Sequence, residues 1–250
     1  MELQDRVAIV TGATSGIGEA IARRFMEEGA KVALIGHADD KGRKVEAELR
    51  QMGKGDCVYV KADVSDSAQV RAAVEHVTQR WHRVDLLVNN AAVMKATRLV
   101  DTDEADWDQT LAVNLKGPFL FSKYTLPFMP EGSAIVNISS VHAVATDVAT
   151  AAYSASKGGL EALTRALALE CYAMHIRVNA LRLGAVDTDM LWNNPRIISG
   201  KEKVDPGDVG KPAEIAEAAL FLASARARFI SGAVLTIDGG RLPILGSHAD

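Results

Sequence analysis

Short apolar runs rich in β-branched residues alternate with amphipathic stretches along this chain, and that alternation limits the folds it can adopt. In the stretches between the runs, apolar residues such as Val70, Val74 and Val77 recur at the spacing of one helix face. Strands that alternate with helices build a parallel sheet covered by helices on both faces. The predicted strands are Arg6–Thr11, Lys31–Ile35, Cys57–Lys61, Asp85–Val88, Ser133–Ile138, Ile176–Leu181 and Ala233–Ile237. The sequence therefore predicts one doubly wound α/β domain of about seven strands over residues 1–250.

Composition and charge exclude several classes of partner. Hydrophobic residues make up 48% of the chain and charged residues 24%, the net charge is −4, and no long basic run occurs. No apolar run approaches the roughly 20 residues that a membrane span requires, and the first residues lack the pattern of a signal peptide. We therefore expect a cytoplasmic protein with neither a nucleic-acid nor a membrane partner.

The cysteine content gives no sign of a metal site or a disulfide. The two cysteines, Cys57 and Cys171, both lie within apolar patterns, and nothing around them resembles a pair of metal ligands. We predict two buried free thiols and no metal, as is common in a reducing compartment.

A glycine-rich turn follows the first predicted strand and precedes a helix. The turn reads Thr11-Gly-Ala-Thr-Ser-Gly-Ile-Gly18. Glycines permit a tight turn and the close approach of a ligand, and the N-terminus of the following helix attracts a pyrophosphate. The spacing Gly-x-x-x-Gly-x-Gly differs from the strict dinucleotide pattern, and an ordinary strand-to-helix turn is the alternative.

Tyr153 and Lys157 lie at the start of another predicted helix with apolar residues at helical spacing. Residues four apart share a helix face, so the phenol and the ammonium can enter one site. A neighbouring ammonium favours the phenolate and lowers the tyrosine pKa, which would suit Tyr153 for acid-base catalysis. Taken alone, the pair also occurs on surface helices.

Further polar residues follow other predicted strands. Asn90 follows the fourth strand, and Ser139 and Ser140 end the fifth. Alternate residues of a strand face opposite sides, so only one of the two serines should face a site. Asn114 lies among the apolar positions of a helical pattern between residues 103 and 129, where a satisfied core amide is the ordinary interpretation.

These features together resemble the short-chain dehydrogenase/reductase family. The ordered set is Thr-Gly-x-x-x-Gly-x-Gly at 11–18, Asn-Asn-Ala at 89–91, Asn114, Ser140, Tyr153-x-x-x-Lys157 and Asp-Gly-Gly at 238–240. The resemblance spans nearly the whole chain. It implies a single Rossmann-type domain and an NAD(P)-dependent oxidoreductase that interconverts an alcohol and a ketone.

The resemblance also implies a role for each catalytic residue. Tyr153 would exchange a proton with the substrate oxygen, and Lys157 would lower the Tyr153 pKa and hold the nicotinamide ribose. Ser140, by its interval to Tyr153, would bind the substrate oxygen. Asn114 would support a water-mediated proton relay. His142 resembles a substrate-pocket hydrogen bonder rather than a base.

Cofactor contacts follow from the same resemblance. The residues implied are Gly12, Ser15, Ile17 and Gly18 for the pyrophosphate and ribose, Asp63 and Val64 for the adenine, Asn90 for the adjoining ribose, and Thr188 for the carboxamide, in addition to Tyr153 and Lys157.

The choice between NAD and NADP stays open from the sequence. The position where an acid would bind the 2′-hydroxyl of NAD is Gly36. His37 follows it, at a place where NADP-preferring relatives often carry arginine. Thr14 and Ser15 supply no positive charge for a 2′-phosphate.

Residues 184–211 are predicted to be an irregular substrate loop. Trp192 lies there beside the amide donors Asn193 and Asn194, and this combination suits a sugar or polyol. A 3-oxoacyl-thioester reductase is the enzymatic alternative, with Arg182, Arg196 and Lys201 as candidates for docking an acidic carrier protein. A dinucleotide-sensing or scaffold protein is the non-enzymatic alternative, against which the complete catalytic set argues.

The resemblance further implies a homo-oligomer, either a dimer or a tetramer. Small residues Ala155, Ala162 and Ala166 lie opposite the core stripe of the Tyr153 helix and would allow close helix packing. We also predict that the apolar tail at 241–245 packs against the domain or a neighbouring subunit.

Overall fold

A seven-stranded parallel sheet forms the centre of the molecule. The structure is a computed structural model, and it describes residues 1–201 and 203–242. The strand order is β3-β2-β1-β4-β5-β6-β7, and all six neighbouring pairs are parallel. The strands are β1 (Val7–Thr11), β2 (Lys31–Gly36), β3 (Asp56–Lys61), β4 (Leu86–Asn89), β5 (Ala134–Ser140), β6 (Arg177–Leu183) and β7 (Val234–Ile237). The predicted Rossmann-type fold and its seven strands are confirmed.

Helices connect the strands. They are α1 (Gly16–Glu27), α2 (Asp39–Gln51), α3 (Ser67–Trp81), α4 (Glu104–Leu111), α5 (Gly117–Thr125), α6 (Ala151–Glu170), α7 (Asp189–Trp192), α8 (Pro195–Ile198) and α9 (Pro212–Ala223). Single 3₁₀ turns occupy Leu99–Asp101, Leu126–Phe128, Val141–Ala143, Tyr172–Met174, Pro206–Asp208 and Ala225–Ala227.

Two apolar layers hold the helices on the sheet. One layer buries side chains of α1, α2 and α9, with Phe25, Leu49 and Leu220 among them. The other buries side chains of α3, α5 and α6, including Val74 and Phe121. Removal of this apolar surface from water is the main favourable contribution to folding, and it covers both faces of the sheet.

Two predicted segments differ from the structure. The helical pattern between residues 103 and 129 is divided, because the π-helix Ala112–Lys116 separates α4 from α5. Residues 184–211 are not wholly irregular, because they contain the one-turn helices α7 and α8 and a parallel bridge between Val186 and Gly210. Hydrophobic periodicity does not distinguish a π-turn from the α-helix around it.

The strand order reverses on either side of β1, which pairs with both β2 and β4. The carboxyl ends of parallel strands meet at one edge of a sheet, and such a reversal leaves a crevice between the segments that follow the strands. The segments after β1, β4 and β5 therefore converge there, and they carry the predicted site residues.

Charged residues stabilise the opposite edge, where the strands begin. The carboxylate of Asp85 is fully buried and accepts hydrogen bonds from Arg6 Nη1 and the Val7 amide, both at 2.9 Å. Arg177 is also buried, and its guanidinium donates to the Leu222 carbonyl at 2.6 Å and to the Ser224 carbonyl at 3.2 Å. Arg177 thereby caps the C-terminal end of α9.

Both cysteines are buried and free, as predicted. Burial raises the pKa of the Cys57 thiol to about 11. Among the described helices, none combines the length and apolar character needed to cross a bilayer. Of the predicted packing tail, residues 243–245 lie outside the described residues.

Candidate active site

The glycine-rich turn after β1 leaves no room for larger residues. Gly12 and Gly16 adopt φ angles of 64° and 56°, a region that glycine enters without strain. A Cβ at Gly18 would lie 2.2 Å from the Gly12 carbonyl oxygen, so the start of α1 packs directly on the turn. These residues expose main chain, rather than side chains, to the crevice.

The start of α1 fits a bound dinucleotide. Ser15 occupies the N-cap position, and its side chain makes no capping hydrogen bond. The first amide groups of a helix lack partners within the helix, and they favour an anion. The bare glycine turn and these amides fit the pyrophosphate of NAD(P).

Asn90 holds the turn in place. Its side-chain Nδ2 donates to the Thr11 carbonyl at 2.9 Å and to the Gly12 carbonyl at 3.2 Å. Its amide donates to Thr11 Oγ1 at 2.9 Å. The Asn90 side chain is therefore bonded to the glycine turn, a contact that the sequence did not predict.

Other predicted cofactor residues lie around this crevice. Thr188 approaches the turn from the substrate loop, since a Cβ at Gly16 would lie 3.2 Å from its Cγ2 atom. Asp63 follows β3 and accepts from the Ser65 hydroxyl at 2.7 Å, while Val64 next to it is buried. Ile17 is half-buried on α1, and His37 is exposed directly after β2.

The end of β2 has no space for an acidic side chain in the present arrangement. A Cβ at Gly36 would lie 2.6 Å from Thr14 Cγ2. On the same residue, the Gly36 carbonyl accepts from the Tyr59 hydroxyl at 3.0 Å. Thr14 therefore occupies the space that a side chain at position 36 would need.

Tyr153, Ser140 and Lys157 come together at the carboxyl end of β5. Tyr153 is 8% exposed and Lys157 2% exposed, both on the inner face of α6. The Ser140 hydroxyl hydrogen-bonds the Tyr153 phenol. Lys157 Nζ donates to the Ile138 carbonyl at 2.8 Å and lies 5.6 Å from the centroid of the Tyr153 ring.

The electrostatics of the protein alone differ from the sequence prediction. Burial raises the pKa of Tyr153, and the hydrogen bond from Ser140 opposes that rise. Burial also lowers the pKa of Lys157 to about 8, because a charged amine loses its hydration there. The expected depression of the Tyr153 pKa by Lys157 is therefore not found: desolvation dominates, and the amine is bonded to the main chain instead.

The Ser139 side chain contacts α6 at Glu161 rather than at Tyr153. Its hydroxyl donates to Glu161 Oε1 at 2.9 Å, and Glu161 also forms an ion pair with Arg182 at 2.6 Å. Sequence reasoning missed Glu161 altogether. The available signal was its position four residues after Lys157, which places an ionisable side chain on the buried face of α6.

Asn114 lies in the π-helix and is fully buried. Its Oδ1 accepts from the Val93 amide at 2.8 Å, and its Nδ2 donates to the Val93 carbonyl at 2.9 Å and to Ser156 Oγ at 3.1 Å. Asn114 therefore joins the segment after β4 to α6. Its contact on α6 is Ser156, which lies between Tyr153 and Lys157 in the sequence. π-turns within α-helices are frequent at functional sites.

Hydroxyl groups surround the predicted substrate residue His142. The His142 ring lies 5.6 Å from the Tyr153 ring, and its Nδ1 is 2.9 Å from Thr146 Oγ1. Thr146 Oγ1 in turn lies 2.6 Å from Ser154 Oγ. These three residues form a polar rim beside Tyr153.

The substrate loop carries Trp192 on α7. The indole Nε1 donates to Asp187 Oδ1 at 2.7 Å, and the residue is 39% exposed. The side chain of Asn194 accepts from the Arg196 amide at 3.0 Å and caps α8, so one of the two predicted amide donors has a structural role. Within residues 1–201 and 203–242, no group of three or more His, Cys, Asp or Glu side chains is arranged to hold a metal ion.

Comparison with known proteins supports the resemblance. Residues 12–241 match a family model described as enoyl-(acyl carrier protein) reductase. D-threitol dehydrogenase of Mycolicibacterium smegmatis is 39% identical over 245 residues, which cover 95% of this chain and 93% of that protein. The 3-oxoacyl-(acyl-carrier-protein) reductase of Thermotoga maritima is 37% identical over 245 residues, with 96% and 99% covered.

A solved structure shows the same architecture. A short-chain dehydrogenase from Burkholderia cenocepacia in complex with NADP superimposes with a TM-score of 0.89 at 33% identity, over 96% of this chain and 98% of that one. The matches extend over nearly the full length and include the crevice described above. The chain therefore belongs to the short-chain dehydrogenase/reductase family and is an NAD(P)-dependent oxidoreductase acting on CH–OH groups.

Proposed function

We propose that the protein interconverts a secondary alcohol and a ketone, with Tyr153 as the acid-base group. The carrying observation is the buried Tyr153 phenol, hydrogen-bonded to Ser140 and one helical turn from Lys157. The dinucleotide supplies or accepts the hydride when bound. The protein's part is to orient the substrate and to hold or move one proton at the Tyr153 oxygen.

Each neighbour of Tyr153 has a defined part in this proposal. Ser140 binds the substrate oxygen that Tyr153 protonates or deprotonates. The buried amine of Lys157 donates a hydrogen bond to the Ile138 carbonyl. In this proposal it binds the nicotinamide ribose and influences the protonation state of Tyr153. Asn114 supports a water-mediated proton relay past Lys157 from the π-helix.

We further propose which residues hold the cofactor within this single domain. The set is Gly12, Ser15, Ile17 and Gly18 at the glycine-rich turn, His37 after β2, Asp63 and Val64 after β3, Asn90 after β4, Thr188 at the start of α7, and Tyr153 with Lys157 on α6. Residues 184–211 then form the substrate loop over the nicotinamide end.

The substrate we propose is a sugar or polyol. His142, Thr146 and Ser154 place a ring nitrogen and two hydroxyls beside Tyr153, and such groups recognise additional substrate hydroxyls. Trp192 contributes an apolar wall in the substrate loop. The similarity to D-threitol dehydrogenase agrees with this class.

A 3-oxoacyl thioester is the second candidate, favoured by the similarity to the Thermotoga maritima relative. The structure weakens two of its three proposed docking cations, Arg182 and Arg196, and leaves Lys201 exposed. Arg182 pairs with Glu161 and Arg196 with Asp147, and their side chains are 18% and 17% exposed. Cations engaged in internal ion pairs are poorly placed to dock an acidic carrier protein.

Oligomerisation and location complete the proposal. Ala155, Ala162 and Ala166 are exposed along α6, and Leu169 near its end is 79% exposed. A helix face of small and apolar residues suits a second copy of this chain, as a dimer or tetramer. The two free thiols fit a cytoplasmic location.

The oligomer is tested by mass in solution. Because packing would bury the exposed face of α6, we expect light scattering to give a multiple of the 26.7 kDa chain mass. Replacement of Ala162 by Glu should reduce that mass by introducing charge into the interface. A monodisperse single-chain mass for the wild-type protein would overturn the proposal.

The reaction is tested with a substrate panel. Purified protein is offered NAD(H) or NADP(H) with aldoses, polyols, simple secondary alcohols or ketones, and hydroxyacyl and 3-oxoacyl thioesters, and the absorbance of the reduced nicotinamide is followed. We expect turnover on a sugar or polyol, and Tyr153→Phe should lower kcat by about 10²–10⁴-fold, since it removes the proton-transferring group.

The matched control is Tyr172→Phe, which removes the hydroxyl of a tyrosine that is 79% exposed. Its kcat should equal that of the wild type. Full turnover in Tyr153→Phe would exclude the proposed acid-base role. Turnover confined to thioesters would favour the second candidate.

The burial of Lys157 predicts a pH-dependent stability. Its folded-state pKa is about 8, whereas that of an unfolded lysine is about 10.4. Between these values the unfolded chain binds more protons at this site, so the penalty for burying the charge declines as pH rises. From about pH 7 to 9.5, we expect the unfolding free energy of the wild type to rise by about 2 kcal/mol relative to Lys157→Met.

Urea denaturation at each pH measures this difference. Lys44→Met is the matched control, because the Lys44 side chain is 77% exposed and its removal should give no pH-dependent difference over that interval. An identical pH dependence for Lys157→Met and the wild type would show that Lys157 keeps its ordinary pKa.

The contact between Gly36 and Thr14 predicts how cofactor preference can be changed. Thr14→Ala with Gly36→Asp provides both the space and the acid that binds the 2′-hydroxyl of NAD. We expect the ratio of kcat/KM for NAD over NADP to rise by about tenfold or more, because the acid also repels a 2′-phosphate. Gly36→Asp alone should bind either dinucleotide less well, since Thr14 blocks the new side chain. Equal preference in the double variant and the wild type would contradict this assignment.

A further inference from the structure

Three polar contacts join the buried face of α6 to β5. They involve three successive turns of α6 and three consecutive residues of β5, Asn137 to Ser139. The pairs are Lys157 Nζ with the Ile138 carbonyl at 2.8 Å, Ser139 Oγ with Glu161 Oε1 at 2.9 Å, and Asn137 Nδ2 with Thr164 Oγ1 at 2.9 Å. We call these the three α6–β5 contacts. They fix where α6 lies along β5.

Glu161 makes the central contact of the three. Its side chain is 5% exposed, and Arg182 donates to both carboxylate oxygens, through Nε to Oε1 at 2.9 Å and through Nη2 to Oε2 at 2.6 Å. Arg182 lies on β6 directly opposite Ser139 in the β5–β6 pairing. Glu161 therefore connects α6 to two adjacent strands. Two-point contact between guanidinium and carboxylate also restricts their relative orientation.

Glu161 lies next to both elements that carry the proposed catalytic residues, α6 and β5. Glu161 is one helical turn after Lys157, on the same buried face of α6. Its partner Ser139 immediately precedes Ser140 in β5. Glu161 thus links the helix that carries Tyr153 and Lys157 to the strand that carries Ser140, without itself touching the reacting atoms.

Stability alone is a weak reason for this pair. Apolar residues that replace a buried ion pair are often neutral or stabilising, because the desolvation of the charges is avoided. Apolar contacts, however, tolerate small sliding movements of a helix, whereas a two-point ion pair does not. Positioning therefore explains the pair better than stabilisation does.

We propose that Glu161, held by Arg182 and Ser139, is a positioning residue that fixes the location of α6 on β5 and thereby the approach of Tyr153 to Ser140. This inference rests on the proposed function, in which Tyr153 and Ser140 act on one substrate oxygen. A displacement of about 1 Å in a catalytic group can reduce the rate by about 10²-fold.

The main test separates stability from positioning. E161L leaves Arg182 facing an apolar residue and should lower the melting temperature. E161L/R182L removes both charges and should restore the wild-type melting temperature. In the double variant kcat should nevertheless stay at least about tenfold below that of the wild type, while KM changes by less than about threefold. Wild-type kcat in a stable double variant would overturn the proposal.

Two milder variants keep the proposal testable if the double variant fails to fold. S139A removes only the hydroxyl between β5 and Glu161, and E161Q keeps the shape of the side chain without its charge. Both should lower kcat more than KM. E217Q is the matched control, because it neutralises a glutamate that pairs with Arg24 at 2.6 Å between α1 and α9, away from α6. Wild-type kcat in both S139A and E161Q would overturn the proposal.

A measurement without turnover distinguishes this inference from the reaction itself. Titration of Lys157 by NMR, with isotope-labelled lysine and K157M for assignment, reports the surroundings of its amine. In E161L/R182L and S139A the Lys157 pKa should move from its wild-type value, because the amine shifts relative to the Ile138 carbonyl. If the wild type turns over no substrate, the proposed function fails while this titration still decides the positioning role. An unchanged Lys157 titration in every variant that folds would reject it.

Discussion

Lys157 places an amine in the protein interior, where a charge is costly to desolvate. The structure holds that amine on the Ile138 carbonyl, close to the Tyr153 ring, and the surrounding elements are arranged accordingly. The π-helix that carries Asn114 lies against α6 through Ser156, and Glu161 holds the next turn of α6. The site is thus a set of buried polar groups whose positions are fixed by their hydrogen bonds to one another and to the main chain.

The parallel sheet supplies the second constraint. Because every strand points the same way, the segments after β1, β4 and β5 reach one edge, and the reversal of strand order opens a crevice between them. Asn90, directly after β4, holds the glycine turn in place through the Thr11 and Gly12 carbonyls. The proposed sites for the cofactor and for proton transfer therefore both follow from the strand order.

Sequence patterns predicted the strands and the convergence of polar residues, since β-branched runs and glycine turns act locally. They did not predict the π-helix at 112–116, because apolar periodicity continues through it. Arg182 is a candidate for docking a carrier protein by sequence alone, yet it pairs with Glu161, 21 positions away, a contact that only the folded chain creates. The direction of the Tyr153 pKa was also missed, because desolvation depends on the whole surrounding core. Asn194, which the sequence predicts to contact substrate, caps α8 through its side-chain oxygen, a role that Asn commonly takes.

The edge of the sheet where the strands begin contributes to stability rather than to the proposed chemistry. Asp85, with its arginine partners, and Arg177, at the end of α9, stabilise the sheet far from the crevice. Stability and chemistry are thereby assigned to opposite ends of the same strands. Mutations in the proposed substrate loop at 184–211 leave these contacts in place, so substrate recognition can change while the fold is retained.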